Sequence, residues 1–195
     1  MGTGSSALDT AQDLLARGWA EAARETVALS GGLQGPDGWR FANLIGKTYL
    51  MRDDPENAAV WFSTAQKSLP VQAVPESALG IGMNRAMVEV QRGHYDLALR
   101  GMGGLEPLVG HCSGPLTAQY WINLAVCQLN LNYFPQALES LERAELRLPP
   151  DGGPMQQAVS VNRGLALAEL ERFEAGRNLL IPSLDRAEES DKLHI

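Results

Sequence analysis

Hydrophobic positions along most of the chain recur with the period of an α-helix. In the clearest stretch, Phe134–Leu148, the apolar and small residues are separated by 3, 1, 3, 3 and 4 positions and therefore share one helix face. Charged residues take the other face: Glu139, Glu142, Arg143, Glu145 and Arg147. No segment has the strict alternation typical of a strand. The pattern predicts an all-α chain.

The periodic stretches predict ten helices paired into five hairpins. The first helices are expected near 7–16, 39–51, 79–92, 117–130 and 156–170. The second helices are expected near 20–29, 55–68, 95–103, 134–147 and 174–188. Segments rich in Gly and Pro separate the hairpins and are expected to be loops: 30–38, 69–75, 103–115 and 149–154.

A small residue recurs in the second helix of every hairpin. The residues are Ala23, Ala58, Ala98, Ala137 and Gly176, spaced by 35, 40, 39 and 39 positions. A small side chain there allows the two helices of a hairpin to approach closely. In the second hairpin, Gly46 is expected to face Ala58 while Phe62 fills the space beside them. Asp54 is the predicted N-cap of that second helix, with Pro55 in its first turn.

Three residues have the chemistry of a helix end between the paired helices. Gly18, Gly93 and Asn132 each follow a predicted first helix, where a residue in the left-handed conformation commonly ends it. The sequence therefore predicts short turns within hairpins and longer connections between them.

Residues 39–70 resemble the tetratricopeptide repeat at its signature positions after the first. These positions are Ile45-Gly46, Tyr49, Ala58, Phe62, Ala65 and Pro70. The resemblance implies an all-α, right-handed superhelical solenoid of about five hairpins. It further implies a single array over 1–195, with repeats at about 4–37, 39–72, 79–112, 118–151 and 157–190. In this family the first helices line the concave surface.

Asparagine recurs in the predicted first helices at Asn84, Asn123 and Asn162, and Asn43 lies one residue out of phase. Helix propensity does not explain this recurrence of asparagine, because asparagine is a neutral to poor helix former. A structural interpretation is that the amide bridges to the backbone of a neighbouring hairpin. A functional one is that it pairs with the backbone of a bound peptide. The series resembles the asparagine ladder of long-repeat tetratricopeptide proteins such as LGN-type adaptors, kinesin light chains, and the Rap and PlcR regulators.

Further side chains are expected on the same concave surface. The candidate binding residues besides the asparagines named above are Arg40, Lys47, Met83, Met87, Gln91 and Asn130. The same periodicity places Met51, Gln119, Ile122, Val126, Leu165 and Glu169 there. Arg40 and Lys47 could hold an acidic side chain or a terminal carboxylate. Gly80 and Asn84 stand where chaperone-binding members of the family carry a basic pair, so chaperone tails are not the expected ligand.

Composition excludes several function classes. The net charge is −7, with no basic block, which disfavours nucleic-acid binding. No apolar run reaches the roughly 18–20 residues that a membrane span needs. Cys112 and Cys127 lack the spacing of a zinc site or a disulfide framework. The three histidines lack a catalytic or metal partner at a known spacing, so no catalytic, cofactor or metal site is predicted. A reducing cytoplasm is the expected location.

The sequence therefore predicts a non-catalytic adaptor or sensor module that binds a protein or peptide in the groove of the solenoid. A second interpretation is a structural scaffold that self-associates through its C-terminal hairpin, which has no obvious capping helix. In a related alternative, the chain is the regulatory part of a larger bacterial regulator.

Overall fold

The computed structural model describes residues 3–34, 37–70, 73–148 and 153–192, which form helices joined by turns and contain no strand. The helices are α1 (Thr3–Ala16), α2 (Ala20–Ser30), α3 (Gly38–Met51), α4 (Pro55–Lys67), α5 (Pro75–Gln91), α6 (Tyr95–Gly103), α7 (Glu106–Val109), α8 (Gly114–Asn130), α9 (Phe134–Glu145), α10 (Gly153–Glu169) and α11 (Phe173–Lys192). Within these ranges, no helix is both long and apolar enough to cross a membrane.

All ten predicted helices are present, and they form five hairpins: α1/α2, α3/α4, α5/α6, α8/α9 and α10/α11, called hairpins 1 to 5. Helix α1 begins at Thr3, four residues before the predicted position, and α5, α8 and α10 begin three or four residues before theirs. In α5, α8 and α10 the reason is a proline within the first two helical positions, Pro75, Pro115 or Pro154, where a missing N–H has no cost. The short helix α7 and a 3₁₀ turn at Gly32–Gln34 lie in segments predicted to be loops.

The chain divides into two compact units, Met1–Gly101 and Met102–Ile195. The first contains hairpins 1 and 2, α5 and most of α6. The second contains α7 and hairpins 4 and 5. A single continuous array over both units stays a prediction, as does its superhelical hand.

The core of the first unit is built from small residues opposed to large ones. Phe62 is fully buried with Ala58 and Val88, which joins hairpin 2 to α5. A Cβ at Gly46 would lie 2.5 Å from a carbon of the Phe62 ring, far inside contact distance. The prediction that Phe62 fills the space beside Gly46 is confirmed, and glycine is required there by space rather than by backbone conformation.

The second unit packs in the same way. Ala137, Leu141 and Ala144 of α9 are fully buried in one cluster with residues of α8 and α10. In hairpin 5 a Cβ at Gly176 would lie 2.8 Å from the Gly164 carbonyl oxygen, so α10 and α11 meet backbone to backbone. Cys127 is part of the buried interior, and burial raises the pKa of its thiol to about 11.

All five intra-hairpin turns have one geometry. The turn residues with positive φ are Gly18, Asp53, Gly93, Asn132 and Glu171, at φ of 80°, 56°, 75°, 60° and 60°. At Gly93, for example, the His94 N–H donates to the Glu89 carbonyl at 2.8 Å, and the Gly93 N–H donates to the Val90 carbonyl at 2.9 Å. This pair of bonds is the Schellman motif, and it recurs at the other four turns.

Each turn residue lies five positions before the small residue of the second helix. The N–H of that small residue donates to the carbonyl of the residue that follows the turn residue, as Ala98 does to His94 at 3.0 Å. The Asp54 carboxylate also caps α4 by accepting the Asn57 N–H at 3.1 Å, which confirms the predicted N-cap. The turn thus sets where the second helix starts and which face it presents to the first.

Candidate functional site

The turn residues give the first helices a common register. Asn84, Asn123 and Asn162 each lie nine positions before their turn residue, and Asn43 lies ten positions before Asp53. All four asparagines are half-buried. Because the register is shared, the environment of a first-helix position can be compared directly from one hairpin to another.

A pocket of about 350 Å³ lies in the first unit between the first helices of hairpins 1 and 2. We call it pocket A. Its lining residues are Gln12, Leu15, Ala16, Arg40, Asn43, Leu44 and Lys47. Three of the predicted binding residues, Arg40, Asn43 and Lys47, therefore share one cavity on the first-helix surface.

Pocket A carries positive charge without a lining carboxylate. Arg40 stacks over Trp39, with 5.2 Å from the guanidinium carbon to the ring centroid, and its ion pair with Asp37 is loose, at 3.4 Å. Lys47 forms no hydrogen bond or ion pair with any residue that the structure describes. Desolvation by surrounding protein atoms lowers the pKa of Lys47, although its side chain keeps contact with solvent. An anion in pocket A would meet an ammonium that lacks a counter-charge.

Two of the predicted residues connect α5 to α3 in the free protein. The Asn84 amide donates to the Asn43 side-chain oxygen at 2.9 Å, and the Gln91 amide donates to the Leu50 carbonyl at 2.8 Å. The carbonyl group of Asn43 is thus engaged, and its NH₂ group is the part left for pocket A.

A second pocket, of about 310 Å³, lies in the second unit between the first helices of hairpins 4 and 5. We call it pocket B. It is lined by Val126, Leu129, Asn130, Asn132, Phe134, Asn162, Leu165 and Glu169. Counted from the turn residue, Val126, Leu129 and Asn130 occupy the register positions that Gln12, Leu15 and Ala16 occupy in pocket A. The two units therefore carry cavities at equivalent places with different chemistry.

The pocket B amides are oriented by their own helices. Asn130 donates its NH₂ group to the Val126 carbonyl at 2.8 Å, and Asn162 donates to the Ala158 carbonyl at 2.9 Å. Both bonds reach back four residues and leave the amide oxygen and one N–H of each side chain. Asn123 is engaged differently, because its side-chain oxygen accepts from the Gln119 amide at 2.8 Å.

Two predicted methionines differ in exposure. Met87 is half-buried, whereas Met83 is 3% exposed and lies in the core, because α5 packs against both helices of hairpin 2. Ile122 is likewise buried, at 4% exposure. Met83 and Ile122 thus do not belong to an accessible surface.

Seven lining residues of the two pockets are not among the predicted surface residues: Gln12, Leu15, Ala16, Leu44, Leu129, Asn132 and Phe134. Gln12 could have been found from the register, since it lies six positions before Gly18 as Lys47 does before Asp53. Asn132 and Phe134 belong to the turn and to the start of the second helix, where the sequence predicts only structural roles.

No protein-family model matches the sequence, and no curated protein matches it either. Solved structures do match over almost the whole chain. MamA from residue 41 to its end, from Desulfovibrio magneticus RS-1, is 14% identical, with 96% of each chain covered and a TM-score of 0.60. A putative kinesin light chain from Podosopora anserina with nearly identical TPR-like repeats is 14% identical, covers 96% of this chain and 95% of its own, and has a TM-score of 0.66. The chain has a tetratricopeptide-repeat-type fold.

Proposed function

We propose that this chain is a non-catalytic module that binds a partner polypeptide on the surface formed by the first helices of its hairpins. The observation that carries the proposal is the recurrence of pockets A and B at equivalent register positions in the two units. Both pockets combine apolar side chains with a few polar groups, the composition typical of binding sites. The repeat fold supports the proposal because such arrays bury one face and leave a long first-helix surface accessible.

Pocket A is suited to an acidic side chain or a terminal carboxylate of the partner. Arg40, Lys47 and the NH₂ group of Asn43 are all donors, and charge-assisted hydrogen bonds to a carboxylate are stronger than neutral ones. A carboxylate bound there would also return the pKa of Lys47 toward its ordinary value, because it supplies the missing counter-charge.

The asparagines take different parts in this proposal. Asn130 and Asn162 present acceptors to a partner, whereas Asn43 and Asn84 use one amide group on each other and bind less completely. We therefore do not propose a ladder in which every asparagine pairs both amide groups with a peptide backbone. We propose separate subsites that differ in polarity.

A random-peptide display library selected on the full chain tests the proposal. We expect enriched peptides that share an acidic position and that lose most of their affinity for an Arg40→Glu/Lys47→Glu double variant. Lys67→Glu is the matched control, since Lys67 is exposed and lies outside both pockets. Absence of any enriched peptide, or equal binding by the double variant, would contradict the proposal.

Self-association through hairpin 5 is a second candidate function. Phe173 and Ile181 of α11, eight positions apart, are 64% and 44% exposed, so hairpin 5 has apolar surface that a second copy of the chain could cover. Light scattering over a range of concentrations separates the two candidates. A dimer that dissociates on dilution, and that Phe173→Ser prevents from forming, would favour self-association.

A further inference from the structure

We infer that pocket B binds a lysine or arginine side chain of a partner polypeptide. The inference rests on the proposed function and adds the chemistry of one subsite. It is carried by the groups that line the cavity and by the hydrogen bonds that those groups already make.

The walls of pocket B are apolar and suit the stem of a long basic side chain. Val126, Leu129 and Leu165 supply aliphatic surface, and Phe134 supplies an aromatic ring. Leu165 remains 48% exposed, so this surface is available to a ligand. Lysine and arginine commonly bury their methylene stems on such surface while the charged end stays near water.

The polar groups of pocket B are predominantly acceptors. Asn130 and Asn162 each use one amide N–H on a helix carbonyl, so each offers its amide oxygen and one remaining N–H, and Asn132 adds a further amide. Glu169 adds a carboxylate that is exposed and forms no ion pair in the described part of the chain. No lysine or arginine is among the lining residues. An ammonium or guanidinium has only donors and matches this set, because the acceptor sites of three amide oxygens and a carboxylate outnumber the remaining amide N–H groups. A carboxylate would meet the like charge of Glu169.

Pocket A is the internal comparison. Lys47 and Leu165 occupy the same register position, six residues before the turn, so the cation of one cavity is an apolar wall in the other. Phe134 also lines pocket B, and an aromatic ring can attract a cation electrostatically. The two cavities thus favour opposite charges at equivalent places in the repeat.

Titration of the ¹⁵N-labelled full chain with three capped tripeptides tests the inference by NMR. The peptides are acetyl-Gly-X-Gly-amide, with lysine, norleucine or glutamate at X. We expect the lysine peptide to shift the backbone amides of residues 126–134 and 162–169. We expect its Kd to be about threefold to tenfold lower than that of the norleucine peptide. The glutamate peptide should leave these signals unchanged.

Two variants identify the source of the preference. Glu169→Gln should remove the advantage of lysine over norleucine, while Glu142→Gln should retain it. Glu142 is exposed on α9 and undergoes the same change of charge outside both pockets. Equal binding of lysine and norleucine to the unmodified chain, no saturable shift with lysine, or a persistent preference in Glu169→Gln would each overturn the inference.

Failure of this inference is distinguishable from failure of the proposed function. If the peptide library yields partners whose affinity is indifferent to Glu169→Gln and to replacement of their basic residues, only the inference is wrong. If the lysine peptide binds pocket B but no library peptide is enriched, the subsite stands and the proposed function does not.

Discussion

At the residue scale, the ring of Phe62 occupies the space that a side chain at position 46 would need. A Cβ there would approach the ring to 2.5 Å, and Phe62 itself has no exposed surface. Interiors packed this closely relax only partly when atoms are removed, so the removal of a ring leaves a cavity. This pair therefore makes hairpin 2 sensitive to changes in volume in either direction.

Replacing Phe62 with alanine should lower the free energy of unfolding by about 3–5 kcal/mol. The loss combines the burial of the ring with the cavity between hairpin 2 and α5. Urea denaturation followed by circular dichroism measures it. Val60→Ala on the same helix is the control, because Val60 is 61% exposed and should change stability by less than about 0.5 kcal/mol. Similar effects of the two substitutions would contradict the packing described for Phe62.

The first-helix asparagines differ in what their amides contribute to folding. Asn84 bonds to a side chain of another hairpin, whereas the bond of Asn162 within the described residues is to a carbonyl of its own helix. Alanine is the better helix former at both positions, so the gain in helix propensity is common to both substitutions. The difference between the two variants isolates the contact between hairpins.

Asn84→Ala should therefore be less stable than Asn162→Ala by about 0.5–1.5 kcal/mol, the net contribution of one hydrogen bond. Thermal and urea denaturation of the two single variants give the comparison. Asn43→Ala should resemble Asn84→Ala, since it removes the other side of the same bond. Equal stability of all three variants would show that the Asn43–Asn84 hydrogen bond does not stabilise the packing of hairpin 2 against α5.

At the scale of elements, the five turns adopt the same backbone conformation although their turn residues differ. Gly18, Gly93 and Asn132 were predictable, because glycine and asparagine tolerate positive φ. Asp53 and Glu171 were not predicted, because aspartate adopts a positive φ only occasionally and glutamate rarely. The spacing of 35, 40, 39 and 39 positions between repeats would have located both. Repetition thus carries structural information that a single residue lacks.

Backbone strain at Glu171 should be relieved by glycine, and Glu171→Gly should stabilise the chain by about 1 kcal/mol. The opposite change, Gly93→Ala, should destabilise it by about 1 kcal/mol or more. No atom lies within 4 Å of a Cβ built at Gly93, so that loss would arise from the backbone alone. Melting temperatures of both variants measure the effects, and a stabilising Gly93→Ala would contradict the assigned turn.

At the scale of the whole molecule, ion pairs repeat between successive hairpins of the first unit. Arg52 at the end of α3 pairs with Glu21 of α2, and Arg92 at the end of α5 pairs with Glu56 of α4 at 2.7 Å. Arg92 also pairs with Glu89 at 2.8 Å, and His94 contacts the same carboxylate at 2.9 Å. These contacts add electrostatic links to the apolar contacts between hairpins.

Glu89 gives this link a predictable dependence on pH. Partial burial acts to raise the pKa of the Glu89 carboxyl, but hydrogen bonds from His94 and Arg92 outweigh it and hold the pKa below its ordinary value. A lowered pKa means that its stabilisation is present above the unfolded pKa of about 4.3 and is lost as pH falls through the folded value. Glu89→Gln should therefore be less stable than the unmodified chain at pH 7, with the difference shrinking below about pH 4.

Urea denaturation at pH 7 and at successively lower pH measures this difference. Glu142→Gln serves as the control, because Glu142 is exposed and forms no described ion pair. If the difference in free energy of unfolding between Glu89→Gln and the unmodified chain does not change with pH, Glu89 stabilises the fold by packing and not by its charge.

The candidate site was predictable from sequence only in part. The register placed Arg40, Asn43 and Lys47 on one surface, and they do line one cavity. It could not distinguish Met83 in the core from Met87 beside it, since both lie on a helix that neighbours contact on several sides. Nor could it say which half of each asparagine amide is free, because that depends on rotamers and on the distance to the next hairpin.

The constant turn between paired helices determines where the chain can change length. One residue inserted between Gly93 and Ala98 would rotate the rest of α6 by about 100° and move Ala98 from its buried position. The exposed Gly110 and His111 lie instead between α7 and α8, outside any hairpin. A reporter, an affinity tag or an extra binding loop should therefore be tolerated when it is inserted after Gly110. Natural variants of this chain should likewise differ in length at such junctions between hairpins.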